Sequence, residues 1–244
     1  MGSPLGLAIA GAIGGGILFV RGLFKWREKH LIELTPTSKI RALAMGRVEV
    51  YGDVLPYKET INAPFSNKEC LYCKWTVEEY KRRGKHSSWV IVNQGVLGRY
   101  FMIKDDTGKV LVDANGAKVD IPMDFETRSF TPRITTYLDS IQVGFKGLFF
   151  NKQMRFREYF LAKGDKVYIM GFSGDNPFVK EGTSTKNEND IIIQANGKQF
   201  YYISDKCEKD ILKQYFWSVY GGLFGGGALL IGCLALIFWM FGIL

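Results

Sequence analysis

The chain has 244 residues, 47% of them apolar, with 28 glycines, 7 prolines, 4 cysteines and a formal charge of +8. That composition excludes a disordered chain, a collagen-like repeat and a disulfide-dense miniprotein. The charge is segregated: residues 4–20 and 215–244 carry no charged side chain, so all 32 basic and 24 acidic residues lie between Arg21 and Lys213.

The first element is the apolar run Pro4–Val20. As a helix it spans about 26 Å, slightly short of a hydrocarbon core of roughly 30 Å. Gly22, Leu23 and Phe24 lengthen it once the Arg21 stem extends toward the headgroups. A signal peptide carries its positive charge ahead of the apolar stretch, whereas Arg21, Lys25, Arg27 and Lys29 follow this one. Residues 4–24 therefore read as an uncleaved transmembrane helix. Thr35 and Pro36 read as the cap and first turn of a short helix over 36–45, with Gly46 as its stop.

Alternating apolar and polar positions then predict strands over 47–54, 71–80, 89–93, 99–104, 109–113, 155–161, 166–172, 191–195 and 200–203. The turn signals are Asp105-Asp106-Thr107-Gly108, Asn115-Gly116 and Asn196-Gly197, each expected to close an antiparallel hairpin. The expected fold is a β-rich soluble domain over 31–204, an antiparallel barrel or sandwich with few short helices, between two transmembrane α-helices. Ser204 or Asp205 is expected to cap a charged juxtamembrane helix over 205–214. That helix leads into a second transmembrane helix over 215–244, whose Tyr215, Trp217 and Tyr220 suit the headgroup level.

Lys206, Lys209 and Lys213 precede the second run as the basic cluster follows the first, so both flanks of the middle segment are positive. The positive-inside asymmetry places the soluble domain in the cytoplasm and both termini outside. Small residues recur at spacing four: Gly2, Gly6, Ala10 and Gly14; Gly11 and Gly15; Gly221 and Gly225. Such rows permit close backbone approach in lipid, between the two spans or with a second copy, or reflect the ordinary abundance of glycine in membrane helices.

Cys70-Leu71-Tyr72-Cys73 is a CxxC pair. Zinc needs four ligands, and Cys207, His30 and His86 stand at no diagnostic spacing from it. On a single strand the odd spacing sends the two sulfurs to opposite faces, so the pair reads as structural. With two histidines, no supporting motif and no phosphate-binding glycine loop, no catalytic residue, cofactor or metal is expected, and the chain is not expected to be an enzyme. The basic run Lys81-Arg82-Arg83-Gly84-Lys85-His86 is either a solvated hairpin tip or a contact for anionic headgroups. Phe145-Lys146-Gly147-Leu148-Phe149-Phe150-Asn151-Lys152 is either core or a loop that dips into the interface. The candidate membrane-surface contacts are thus Arg21, Lys25, Arg27, Lys81, Arg82, Arg83, Lys85, Phe149 and Phe150; the candidate helix-packing residues are Gly11, Gly15, Gly221 and Gly225. The expected partners are the lipid bilayer and other membrane proteins or a second copy, with no nucleic acid.

Five ordered blocks carry a resemblance: LTPTSKIRALAMGRVEVYGDV, APFSNKECLYCKWTVEEY, FMIKDDTGKVLVDANGAKVD, FREYFLAKGDKVYIMG and FYYISDKCEKDILKQ. Together they resemble the GIDE-domain family, the region between the two membrane spans of the mitochondrial E3 ubiquitin ligase Mulan and its prokaryotic relatives. The resemblance covers residues 31–214, with the same order of span, domain and span. It implies the interaction half of that architecture, since the sequence shows no RING domain by Leu244 and Cys70 is not a RING ligand. The function expected on this basis is a membrane-anchored, non-catalytic GIDE-type binding or scaffolding module. The alternative is a component of a ubiquitin-like transferase system whose RING or conjugating subunit is another chain.

Overall fold

The computed structural model describes residues 3–84, 86–147, 152–179 and 190–242, with Arg83 described by its backbone alone. The chain divides into two compact units, residues 1–36 with 207–244, and residues 37–206.

The helical unit begins with α1 (Pro4–Leu34), where the Ser3 hydroxyl accepts the Gly6 N–H at 3.2 Å and proline occupies the first turn. Thr35 closes this helix by donating its hydroxyl to the Leu31 carbonyl at 2.8 Å. The helix expected over 36–45 is absent. Past Pro36 the backbone turns extended and Thr37 bridges to Glu49, leaving one 3-10 turn at Ile40–Ala42.

In chain order the strands are β1 (Gly46–Leu55), β2 (Ile61–Asn62), β3 (Glu69–Cys70), β4 (Tyr72–Arg83), β5 (His86–Leu97), β6 (Tyr100–Lys104) and β7 (Lys109–Asp113). They continue with β8 (Lys118–Asp120), β9 (Phe125–Thr127), β10 (Met154–Leu161), β11 (Lys166–Asp175), β12 (Ile191–Gln194) and β13 (Tyr202–Ser204), with helix α2 (Pro132–Ser140) between β9 and β10. The helical unit resumes with α3 (Glu208–Tyr220), a π-helical segment Gly221–Gly225, and α4 (Gly226–Met240). α3 starts at Cys207 rather than at the expected cap Ser204 or Asp205, because Ser204 is still paired in β13. The two helical stretches, 31 and 33 residues, are long and apolar enough to cross a membrane; they measure about 46 and 50 Å.

Five strands close a barrel in the order β1-β6-β7-β12-β11 and back to β1. Every seam is antiparallel except β7–β12. This connectivity, with one parallel seam, is that of an OB-type Greek-key barrel, and it corrects the expectation of a wholly antiparallel sheet. Val48, Val50, Val54, Phe101, Ile103, Val110, Val112, Val167, Ile169 and Ile193 fill the interior. β1 serves two partners, pairing β11 over Gly46–Asp53 and β6 from Asp53 onward. At that crossover a Cβ on Gly52 would collide with the Lys104 carbonyl, so only glycine closes the barrel there.

Neither Asn115-Gly116 nor Asn196-Gly197 makes a hairpin. β12 and β13 both pair antiparallel with β11, at Phe172–Asp175 and Tyr168–Met170, and form one strand line broken by an excursion. β7 and β8 are interrupted alike, and β8 pairs parallel with β13. The two excursions meet, for a Cβ on Gly116 would lie 3.2 Å from that of Ala195.

The connections β1-to-β6 and β7-to-β11 contribute a second sheet, β5-β4-β10-β9, and the small ladder β2-β3. Helix α2, capped by the Thr131 hydroxyl on the Ile134 N–H, covers one face of that sheet. Ile134 and Leu138 there join Phe65, Trp75, Val77, Phe145, Met154 and Phe156 in a second core.

Candidate functional site

The basic hairpin joins β4 and β5. Tyr80 and Trp89 face each other across it with ring centroids 5.2 Å apart. Arg155 and Arg128 place their guanidinium carbons 4.5 and 5.2 Å from the Trp89 ring centre, so the indole is a platform for two cations. Glu78, buried beneath, accepts from Arg155 and from Arg157 Nη1 at 3.2 Å, while Arg157 Nε donates to Glu126 at 2.7 Å. That hydrogen bond from Arg157 holds the Glu126 carboxyl below its usual range. Lys81 lies 3.5 Å from Glu79, and Arg82 is exposed with no ion pair among the described residues. Lys85, Phe149 and Phe150 lie outside the described residues, as does the Arg83 side chain. Of the segment around them, Phe145 belongs to the second core.

In the helical unit Arg21 and Arg27 are exposed. Lys25 Nζ sits 2.8 Å from Glu28 and 5.0 Å from the centre of the Tyr215 ring, and the Tyr215 hydroxyl donates to Glu28 at 2.7 Å. Gly11 and Gly15 face the returning helix: a Cβ on Gly11 would lie 2.5 Å from Cys233 Sγ, and one on Gly15 2.7 Å from the Leu230 nitrogen. On the returning helix the close approach belongs to Gly222 and Gly226, 2.8 Å from Gly22 Cα and 2.6 Å from the Phe19 nitrogen by the same measure. Gly221 and Gly225 meet nothing within 4 Å, so the intramolecular contact row falls one residue later than their spacing suggests.

The CxxC pair departs from expectation. Cys70 ends β3 and Cys73 belongs to β4, with Leu71 breaking the strand between them, so the parity of one continuous strand does not apply. Both side chains are buried in one cluster with Ala63. The hydrogen bond that the Cys73 thiol donates to Cys70, then burial, pushes that thiol far above its ordinary value. Among the described residues no group of three or more His, Cys, Asp or Glu could hold a metal ion.

One cluster had no signal in the sequence. Tyr57 after β1, Tyr100 on β6 and Phe178 after β11 converge outside the barrel, with centroid separations of 5.3 to 6.4 Å. Arg99 stacks on Tyr100 at 4.9 Å and is held by two hydrogen bonds to Asp113, at 2.8 and 2.6 Å.

These features define a β-rich barrel domain, enlarged by a second sheet, in a chain with two helices long and apolar enough to span a membrane. No family model matches the chain, and no curated protein matches it. Among solved structures it is similar to a small single-stranded DNA-binding protein from Streptomyces coelicolor. The identity is 11%, the coverage 69% of this chain and 98% of that one, and the TM-score 0.18.

Proposed function

We propose that the chain is a two-span membrane protein whose β-rich domain is a non-catalytic binding or scaffolding module of the GIDE type, held at the cytoplasmic surface. The observation that carries this reading is the pair of apolar helices enclosing the domain in sequence, with basic residues on the domain side of each apolar run. Two anchors confine the domain to a thin layer at the bilayer and raise its effective concentration for membrane partners. The basic hairpin and the exposed cations of α1 favour anionic headgroups as one of those partners.

The test has two parts. The chain should resist carbonate extraction, and protease added outside intact cells should leave the domain uncut; digestion from outside reverses the orientation. Pull-down from native membranes should recover membrane proteins, and consistent recovery of a RING protein or a conjugating enzyme would favour the transferase-system alternative.

A further inference from the structure

We infer that the cleft between α1 and the π-helical segment binds the phosphate of one anionic lipid headgroup. The inference rests on the two-span reading above. The cleft holds about 390 Å³, and Arg21, Lys25, Ser218 and Gly221 line it together with Leu18 and Phe24. Arg21 and Lys25 stand one turn apart on α1, so both side chains reach the same opening.

Lys25 is balanced by Glu28, whereas Arg21 makes no ion pair among the described residues, so the cleft keeps a net positive charge. The Ser218 hydroxyl has no partner among the described residues either, and adds a neutral donor beside the guanidinium fork. Such a fork matches the spacing of phosphate oxygens. The opposite wall is backbone: Gly221 opens the π segment, and a Cβ placed there meets nothing within 4 Å. A π turn is rare and concentrates at functional sites.

The ligand chemistry is a phosphate monoanion carrying hydrocarbon. Leu18 extends the cleft on the side of the apolar run, where acyl chains would lie, while Arg21 is the first charge after that run and the exposed Phe24 lines the cleft beyond it. Exposed Trp217 and Tyr220 flank Ser218 on the returning helix, side chains that sit at headgroup depth. Basic pockets between membrane helices on the cytoplasmic side recognise anionic headgroups by this combination.

The full chain in a mild nonionic detergent is examined by native mass spectrometry. The probes are phosphatidylglycerol, phosphatidylcholine of the same acyl chains, and inorganic phosphate. One phosphatidylglycerol should be retained about tenfold over phosphatidylcholine. Arg21→Gln and Gly221→Leu should each cut retention at least fivefold, the leucine by filling the cleft, while Lys163→Gln, an exposed cation of the β-rich domain, leaves it unchanged. Equal retention of the two lipids, or unchanged retention in Arg21→Gln, overturns the inference. Displacement of the lipid by millimolar inorganic phosphate reassigns the site to free phosphate and also overturns it. A chain that stays membrane-bound but fails this assay loses only the headgroup site; a chain recovered in the aqueous fraction loses the two-span reading as well.

Discussion

Glu158 is fully buried on β10, and its carboxylate accepts the backbone N–H groups of Phe65 at 2.5 Å and Ser66 at 3.2 and 3.1 Å. It straps the β2–β3 loop onto the second sheet, seating Phe65 against Trp75, Tyr137 and Phe156. Glu158→Ala orphans two donors, each costing about 1–3 kcal/mol, so the loss is roughly 2–6 kcal/mol before any cavity is counted. Against a total stability of about 5–15 kcal/mol that is a large fraction. For a unit of this size each kcal/mol moves the midpoint by roughly 2–4 °C, which predicts a fall of about 4–24 °C in calorimetry of the full chain. Glu158→Gln keeps the shape and one acceptor oxygen and should lose about half as much. The aromatic near-UV circular dichroism should weaken with the midpoint, since three ring contacts depend on Phe65. An alanine variant melting within about 2 °C of the parent refutes the strap.

Two further outcomes follow from local geometry. Gly15→Leu and Gly22→Leu would push a Cβ to 2.7 and 2.8 Å from backbone nitrogens of the facing helix, which cannot yield, whereas Gly14 faces open space. Overpacking of this kind costs about 1–3 kcal/mol; both variants should lower thermal stability in detergent and Gly14→Leu should not, as read by size-exclusion after heating. Burial opposes the charge on Asp105, but hydrogen bonds from the Ile40 N–H at 2.9 Å, the Thr107 hydroxyl and N–H at 2.7 Å, and the Gly108 N–H at 2.9 Å carry its carboxyl below the usual range. A depressed folded value means stability present above the unfolded value near 3.8 and lost as pH falls through the folded one. Asp105→Asn should therefore be less stable than the parent in urea at pH 6, with the gap narrowing toward pH 3; a constant gap would contradict the assignment.

The barrel strands were legible because each shows one face to the interior. Val48, Val50 and Val54 in β1, and Val110 and Val112 in β7, fall at even spacing and enter the barrel core, although Glu49 and Leu111 between them are buried on the other face. Register and partner were not. Asn196-Gly197 has hairpin chemistry, yet β11 is long enough to pair β12 and β13 in succession, and that ladder outweighs the local turn preference. Helix α2 escaped notice because nine residues are too few to sustain a helical pattern and two β-branched threonines lower its propensity; its burial against the second core supplies what propensity lacks. The contact glycines of the returning helix came out one residue late because Gly222 and Gly226 keep the same spacing of four as Gly221 and Gly225, and spacing alone does not say which of two adjacent rows faces α1. The cluster of Tyr57, Tyr100 and Phe178 had no local signature, since the three lie on separate segments that only barrel closure brings together.

The second sheet explains how the domain gained surface without disturbing its barrel. One insertion, between β1 and β6, supplies β4 and β5; the other, between β7 and β11, supplies β9 and β10. Neither is a sheet alone, since two strands are marginal in water. The β4–β10 ladder, eight residue pairs from Tyr72 with Leu161 to Glu79 with Met154, fuses them. The two insertions therefore depend on each other more than on the barrel, and a change that loosens one should expose the apolar face of the other. The basic hairpin, with the Trp89 platform beneath it, rides on this fused sheet. Its side chains can be altered without touching a barrel strand, so surface and scaffold are separable in this domain.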